Sequence, residues 1–460
     1  MSTPLTYPAH ARATLVLGLP LVGSHLAQMA LHVTDTVMLG WYGVVELASV
    51  VLGASSFFVV FVLGSGFAKA VMPMVATALG RGDEVQVRRA TRMGLWLSIG
   101  FGILIYPVFW WSGPILLALG QAPEVAALAQ DYMRIAGLGM VPAVAVMVLS
   151  SYLSALARTQ VVLWTTVAAV FVNIAVNWAL IFGNWGFPEL GVQGAAIATV
   201  VTQVLTLAVL VLYAGLLPQL RRFRLFQRFW RPDWQAMGKV FQLGWPIGLT
   251  GVAEGGLFQA SAIMMGWVGT VELAAHGIAM EVSSVAFMMH VGLSSAATIR
   301  TARFDGSGDA RGLRDGAVVA LILSLVVSLA VIALYLAAPE AIMTLFLDMA
   351  KPESAAIVAL GVTLLAVSAL FHLADAMQVM ALGLLRGLHD TRVPLVLAVV
   401  SYWLVGIPCS YLLAFKLGYG AVGLWLGLVI GLVCAAVSLL IRFWLLAPKA
   451  GVAGEGRARG

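Results

Sequence analysis

GWYGVVELA at residues 40–48 recurs as GWVGTVELA at residues 266–274, 226 residues further along the chain. The same offset carries LGLP at 17–20 onto LGWP at 243–246, and GRGD at 80–83 onto GSGD at 306–309. Weaker matches extend the series: RTQVVL at 158–163 with DTRVPL at 390–395, and GVQGAA at 191–196 with GAVGLW at 420–425. Matches that keep one order at nearly one spacing mark an internal duplication. The halves are residues 1–218 and 239–460, joined by a basic linker over 219–238 that contains RRFRLFQRFWRPDWQ.

Composition says where such halves must sit. The chain is 61% hydrophobic and only 10% charged, against roughly 25% charged in soluble domains. Mean hydropathy is +0.99. A chain this long cannot cover a water-facing surface with so few polar side chains, so it is an all-α integral membrane protein. Apolar runs of about 20 residues or more predict twelve spanning helices, over 13–40, 46–79, 91–117, 126–156, 160–183, 192–217, 239–266, 272–302, 313–338, 355–385, 393–416 and 421–447. MSTPLTYPAHARA, ahead of the first run, lacks a Lys/Arg-rich start and a cleavage site, so the first run reads as a retained span rather than a signal peptide. The two cysteines, Cys409 and Cys434, allow neither a disulfide framework nor a CxxC metal pair.

The cations orient the spans. Arg81, Arg88, Arg89 and Arg92 fall between spans two and three, and Arg158 between four and five. Arg221, Arg222, Arg224, Arg228, Arg231 and Lys239 fall between six and seven. Arg300, Arg303, Arg311 and Arg314 flank the next such loop, and Arg386 and Arg392 the last. Arg12, Lys449, Arg457 and Arg459 are terminal, whereas the opposite loops carry only Lys351 and Lys416. The positive-inside rule then places both termini in the cytoplasm. The net charge of +6 is accounted for by topology and lipid headgroups, so no nucleic-acid partner is expected. Six spans per half is an even number, so the duplication is parallel. Two pseudo-symmetric six-helix bundles with a cavity between them suit alternating access. No stretch resembles a selectivity filter, which favours a transporter over a channel.

Ionisable groups inside spans are costly and point to function. The deep carboxylates are Asp35, Glu254, Glu281 and Asp375. Glu254 lies twelve residues before Gly266, about 18 Å along a helix and so near mid-membrane. The repeat pairs Gln28 with Glu254 and Asp35 with Ser261. Each first helix thus bears a polar pair at i,i+7, on one face and two turns apart. Asp375 has no counterpart, since the matching region around Ala143 is apolar. Asn173 and Asn177 stand at i,i+4 in VNIAVNW, and Thr199 and Thr202 follow in IATVVTQ. Asparagines at that spacing either bond neighbouring helices or, with Asp35, offer oxygens to a hard cation or a proton-linked network. His276, His290 and His372 read as structural histidines, with no metal-ligand spacing. Lys69 either pairs with Asp35 or snorkels, and Glu281 is a candidate partner of His276 or Lys69. There is no GxxxxGK[ST], HExxH or GxSxG, so ATP hydrolysis and peptidase or esterase chemistry are not expected. Pairs such as GSGF at 64–67 read as close helix packing.

TDTVMLG, FVNIAVNW, FPELGVQGAAIAT, VELAAHGIAM and LADAMQVMALGLLRGLHDT, in this order across nearly the whole chain, resemble multidrug and toxic compound extrusion (MATE) transporters, most nearly their NorM-like bacterial subgroup. The resemblance implies an inner-membrane exporter of bulky, often cationic, organic compounds driven by inward H+ or Na+, with no other cofactor. It implies coupling roles for Asp35, Asn173, Asn177 and Thr199 and for the acidic pair Glu254 and Asp375. Asp35, Glu254, Phe371 and Asp375 would line the substrate cavity. Gln28, Lys69, Ser261, His276 and Glu281 would form an accessory polar network. Gly277 and Glu281 stand where relatives commonly show Gln and Asn, and Lys69 where a small or apolar residue is expected. The expected partners are organic cations or drugs and the bilayer, with the chain acting as a monomer. A lipid-linked precursor flippase is the rival, but it should show a cationic cavity where this chain places mainly carboxylates.

Overall fold

The computed structural model describes residues 5–450. Arg457 and Arg459 of the expected terminal cluster lie outside the described residues, as does the side chain of Lys449. Twelve long helices follow one another. They are α1 (Tyr7–Tyr42), α2 (Val44–Gly80), α3 (Glu84–Trp110) and α4 (Pro123–Ala155, with one 3-10 turn at Gly137–Gly139). Next come α5 (Thr159–Ile181), α6 (Gly191–Leu216), α7 (Trp234–Val268) and α8 (Thr270–Ser307). The last four are α9 (Ala310–Ala337), α10 (Ser354–Gly387), α11 (Arg392–Lys416) and α12 (Gly420–Ala450). Eleven of the twelve are long and apolar enough to cross a membrane. The exception, α7, has 35 residues, and its apolar character is diluted by Glu254 and a run of glycines. The third span ends earlier than expected: α3 stops at Trp110, and the chain restarts as the short helix Ser112–Ala118.

The duplication is written in the backbone. Gly82 and Gly308 adopt φ of +70° and +72°, the left-handed region where glycine has no steric cost. Each is followed by an aspartate that caps the next helix. Asp83 accepts from the Gln86 N–H at 3.0 Å and Asp309 from the Gly312 N–H at 2.8 Å. Losing either cap by Asp83→Ala or Asp309→Ala should cost about 1 kcal/mol, read as equal losses of thermal stability in detergent. Ala157 and His389, at the repeated turns into α5 and α11, are both left-handed as well (φ 61° and 60°). The repeated glycines Gly194 and Gly423 sit against backbone: a Cβ at Gly194 would lie 2.5 Å from the Leu180 carbonyl oxygen, and at Gly423 2.6 Å from the Leu413 carbonyl carbon. The two halves differ in α11, where two π-helical segments, Val400–Gly406 and Leu412–Lys416, replace the regular helix of α5.

Compactness divides the chain differently from the sequence repeat. One compact unit is Gly23–Leu249; the other is Met1–Val22 with Thr250–Gly460. Both cuts fall inside a first helix, just after the repeated prolines Pro20 and Pro246. Within the Gly23–Leu249 unit, Gly66 on α2 meets α7 so closely that a Cβ would lie 2.3 Å from the Gly244 carbonyl oxygen. Within the other unit, Gly292 on α8, the repeat mate of Gly66, meets α1 equally closely. There a Cβ would lie 2.6 Å from the Val22 nitrogen. Gly64 of GSGF faces the Phe101 ring, so that stretch is a packing element as its composition suggests.

The basic loops are anchored rather than loose. Arg92 donates to the Leu225 carbonyl at 2.7 Å, and Trp96 to the Phe229 carbonyl at 2.9 Å. Arg89 pairs with Asp233, and its guanidinium holds the Asp233 carboxyl below the usual carboxylate range. A depressed folded-state value stabilises above the unfolded value, about 3.9, and the gain is lost as pH falls through the folded value. Asp233→Asn should therefore lower thermal stability slightly at neutral pH, by less than about 1 kcal/mol. Wild type and variant should converge on acidification. One cation was missed in the loop count: Arg134, inside α4, donates to the Trp110 carbonyl and stacks 4.9 Å over the Trp110 ring. It therefore lies at the end of α3 opposite Arg88, Arg89 and Arg92.

Candidate functional site

Each unit places its carboxylates in a nest of amides and hydroxyls. In the Gly23–Leu249 unit the nest is built by α1, α4, α5 and α6. Asp35 Oδ1 accepts from Asn177 Nδ2 at 2.5 Å, and the same amide donates to Asn173 Oδ1 at 3.1 Å. The i,i+4 spacing of the two asparagines puts both on one face of α5, and both are buried. Asn173 and Thr199 also hydrogen-bond the Asp35 carboxyl. Tyr132 on α4 completes the group by hydrogen-bonding Thr199. Its distance in sequence gave no signal of this. Asn177 Oδ1 and Thr202 Oγ1 are buried without a partner. A carboxylate beside an unpartnered amide oxygen is a donor set that suits a hard cation.

Gln28 and Lys69 lie elsewhere in that unit. Gln28 is exposed and hydrogen-bonds His25, which also feels the Lys69 charge. A His25–Gln28–Lys69 group thus stands apart from the Asp35 hydrogen-bond set. His25 was not anticipated, although Gln28 follows it at the i,i+3 spacing of one helix face.

In the other unit, Gln378 Nε2 donates to Glu254 Oε1 at 2.8 Å. Asp375, one turn before Gln378 on α10, is 2% exposed and close enough to Glu254 for their charges to repel. Tyr402 on α11 feels both carboxyls, and Arg386 feels Glu254 and Tyr402. Asp375 Oδ1, Gln378 Oε1 and the Tyr402 hydroxyl are buried without a partner. Buried polar atoms with no hydrogen bond are rare and need a reason. Gln378 was legible in principle, as an amide at i,i+3 from Asp375 inside an apolar run.

The remaining expected residues scatter within this unit. Ser261 is buried and donates to the Phe258 carbonyl of its own helix at 2.7 Å. Phe371 is 2% exposed and packs on Trp425 and Phe258, with ring centroids 5.3 and 6.0 Å apart. It braces the helix that carries Asp375. His276 packs against Trp425 at 5.6 Å, its Nδ1 unpartnered. Glu281 is exposed, and neither a hydrogen bond nor an ion pair joins it to His276 among the described residues.

The helical architecture and the paired carboxylate sites define an integral membrane transporter. The MatE family model matches residues 20–179 and 246–412, one copy in each half. The probable multidrug resistance protein NorM of Rhizobium meliloti is 44% identical, over 97% of this chain and 96% of its own. That of Agrobacterium fabrum is 43% identical, over 96% and 95%. The crystal structure of the eukaryotic MATE transporter AtDTX14 superposes with a TM-score of 0.85 at 22% identity, covering 97% of this chain and 99% of that one. An outward-facing multidrug resistance MATE family transporter of the MOP superfamily gives 0.83 at 20%, over 96% of each. The chain belongs to the MatE family of multidrug and toxic compound extrusion transporters. It is a multi-pass membrane transporter of two six-helix lobes, and not an enzyme.

Proposed function

We propose that this chain exports organic compounds, many of them cationic, across the bacterial inner membrane in exchange for inward-moving H+ or Na+. The names of its relatives support multidrug efflux. The observation that carries the coupling is the pair of carboxylate nests, one per unit. In each, a carboxylate deep in a span accepts from an amide, beside buried oxygens that lack partners. Asp35, Asn173, Asn177 and Thr199 form one ion- or proton-binding set. Glu254 and Asp375 form the other, and the same carboxylates attract cationic substrates. Ion and substrate drive one another only if they favour different conformations. The duplicated halves 1–218 and 239–460, with the linker 219–238 and both termini in the cytoplasm, supply the alternating states, and a monomer is sufficient.

Acidic rather than basic nests disfavour a lipid pyrophosphate as cargo, since a phosphate needs cations around it. The test is efflux of a dye cation such as ethidium from cells expressing the chain. Expression should lower dye accumulation, and collapsing the ion gradients should restore it. Accumulation unchanged by expression, or unaffected by gradient collapse, would sink the proposal.

A further inference from the structure

Behind Asp375 lies a second titratable group that transport as proposed above does not use. His290 on α8 and His372 on α10 are both fully buried, with Nε2 atoms 3.2 Å apart. His290 Nδ1 lies 2.9 Å from Ser324 Oγ on α9, and Ser328 Oγ lies 3.4 Å from His290 Nε2. Tyr335, also on α9, stands beside the His372 ring at 6.1 Å, with its hydroxyl donating to the Val282 carbonyl. One assignment of protons satisfies every contact. His290 Nδ1–H donates to Ser324, and His290 Nε2 accepts from both the Ser328 hydroxyl and His372 Nε2–H. His372 Nδ1 is then a bare lone pair, buried and without a partner.

Asp375 Oδ1 is buried without a partner too, three residues along the same helix. Residues at that spacing are neighbours on one helix face. The Tyr335 hydroxyl, on the helix that packs beside His372, feels the Asp375 charge, which places the carboxyl on the side of the pair. Two facing acceptors with no hydrogen between them are unfavourable, and one proton, passed directly or through a single water, satisfies both.

We propose that His290 and His372 form a proton-binding pair that works with Asp375, so that this unit holds its transported proton across an imidazole–carboxylate chain rather than on a carboxylate alone. The inference rests on an ion gradient driving transport and selects the proton for this unit. In the step, the Asp375 O–H bond breaks and a His372 Nδ1–H bond forms. The His372–His290 hydrogen bond is kept, and the new imidazolium is balanced by the regained carboxylate. Return is the reverse. The groups facing this chain are Ser283 and His290 from α8, Ser324, Ser328 and Tyr335 from α9, Glu254 from α7, and Tyr402 from α11. Arg386 acts on Glu254 and Tyr402. Trp425 of α12, near Phe371, carries no charge. A lone imidazolium in a dry core is expensive, so the pair can charge only while Asp375 is ionised.

Histidine-selective 15N NMR of the full-length protein in lipid reads the pair directly, with resonances assigned by His290→Gln and His372→Gln. Two imidazoles should titrate together between about pH 5 and pH 9, and Asp375→Asn should shift that titration by about one pH unit or more. Imidazoles that stay neutral across the range, or that ignore Asp375→Asn, would overturn the proposal. Proton release on adding tetraphenylphosphonium to purified protein gives a second reading. His372→Gln should release about half the wild-type protons while still binding the cation; undiminished release would also overturn the pair. Should wild type move no substrate under any ion gradient, the transport proposal fails on its own, and the NMR titration still decides the pair.

Discussion

Asp375→Asn should lower ion-driven efflux by more than about tenfold, equivalent to at least about 1.4 kcal/mol in the coupled step, while the protein still folds. Asparagine keeps the shape and loses the ionisable oxygen. Asp375 is buried, its Oδ1 has no partner, and its neighbour across the nest is Glu254. Stability should therefore hold or rise, because removing one of two repelling carboxyls relieves the nest. Glu254→Gln should act alike on transport but differ in stability. Gln378 Nε2 now donates to a carboxylate oxygen, and a charge-assisted bond is worth more than its neutral replacement. Asp35→Asn should also stop coupling, for the Asn177 amide that donates to Asp35 would meet a neutral acceptor. Whole-cell dye efflux with matched expression checks all three. Full activity in all of them would remove the carboxylates from the mechanism.

The second large effect is structural. Gly66→Leu and Gly292→Leu should each prevent accumulation of folded protein. The atoms a side chain would meet are backbone, the Gly244 carbonyl oxygen and the Val22 nitrogen, and backbone in a helix cannot swing aside as a side chain can. Overpacking a core usually costs about 1–3 kcal/mol; a clash between two main chains belongs above that range. Gly100→Leu is the control, since no atom lies within 4 Å of a Cβ there. Detergent-solubilised yield by fluorescence-detected size exclusion separates them: near-normal for Gly100→Leu, close to zero for the other two. Normal yield of Gly66→Leu would mean that α2 and the start of α7 do not cross as described.

Much of the fold is legible before any coordinates. Hydropathy sets the spans because a helix must cross the bilayer with its backbone internally bonded, and the 226-residue offset of short glycine motifs sets the duplication. Those motifs turn out to be the backbone-critical positions. They include the left-handed Gly82 and Gly308, the capping Asp83 and Asp309, and the crossings at Gly194 and Gly423. Physical necessity kept them alike while the polar positions diverged, with Asp35 facing a serine in register and Glu254 a glutamine.

The sites were less legible, for reasons of distance. Asp35, Asn173 and Asn177 could be grouped because i,i+4 spacing signals a face, and the structure joins them. Gln378 lies 124 residues from the Glu254 it bonds, and His290 lies 82 from His372. No periodicity connects such pairs; only the packing of α7, α8 and α10 does. The histidines looked structural because nothing in their own helices offered a partner. The exchange of the inner parts of α1 and α7 between compact units is hidden for the same reason, since hydropathy has no knowledge of which bundle a helix end joins.

The most direct test of ion-driven export is flux through purified protein in proteoliposomes under one imposed gradient at a time. A preloaded organic cation should move against an inward sodium gradient or an inward pH gradient, and the same gradient should fail to move it through Asp35→Asn or Asp375→Asn. Movement at equal rates with no gradient, or with the variants as with wild type, would contradict the account.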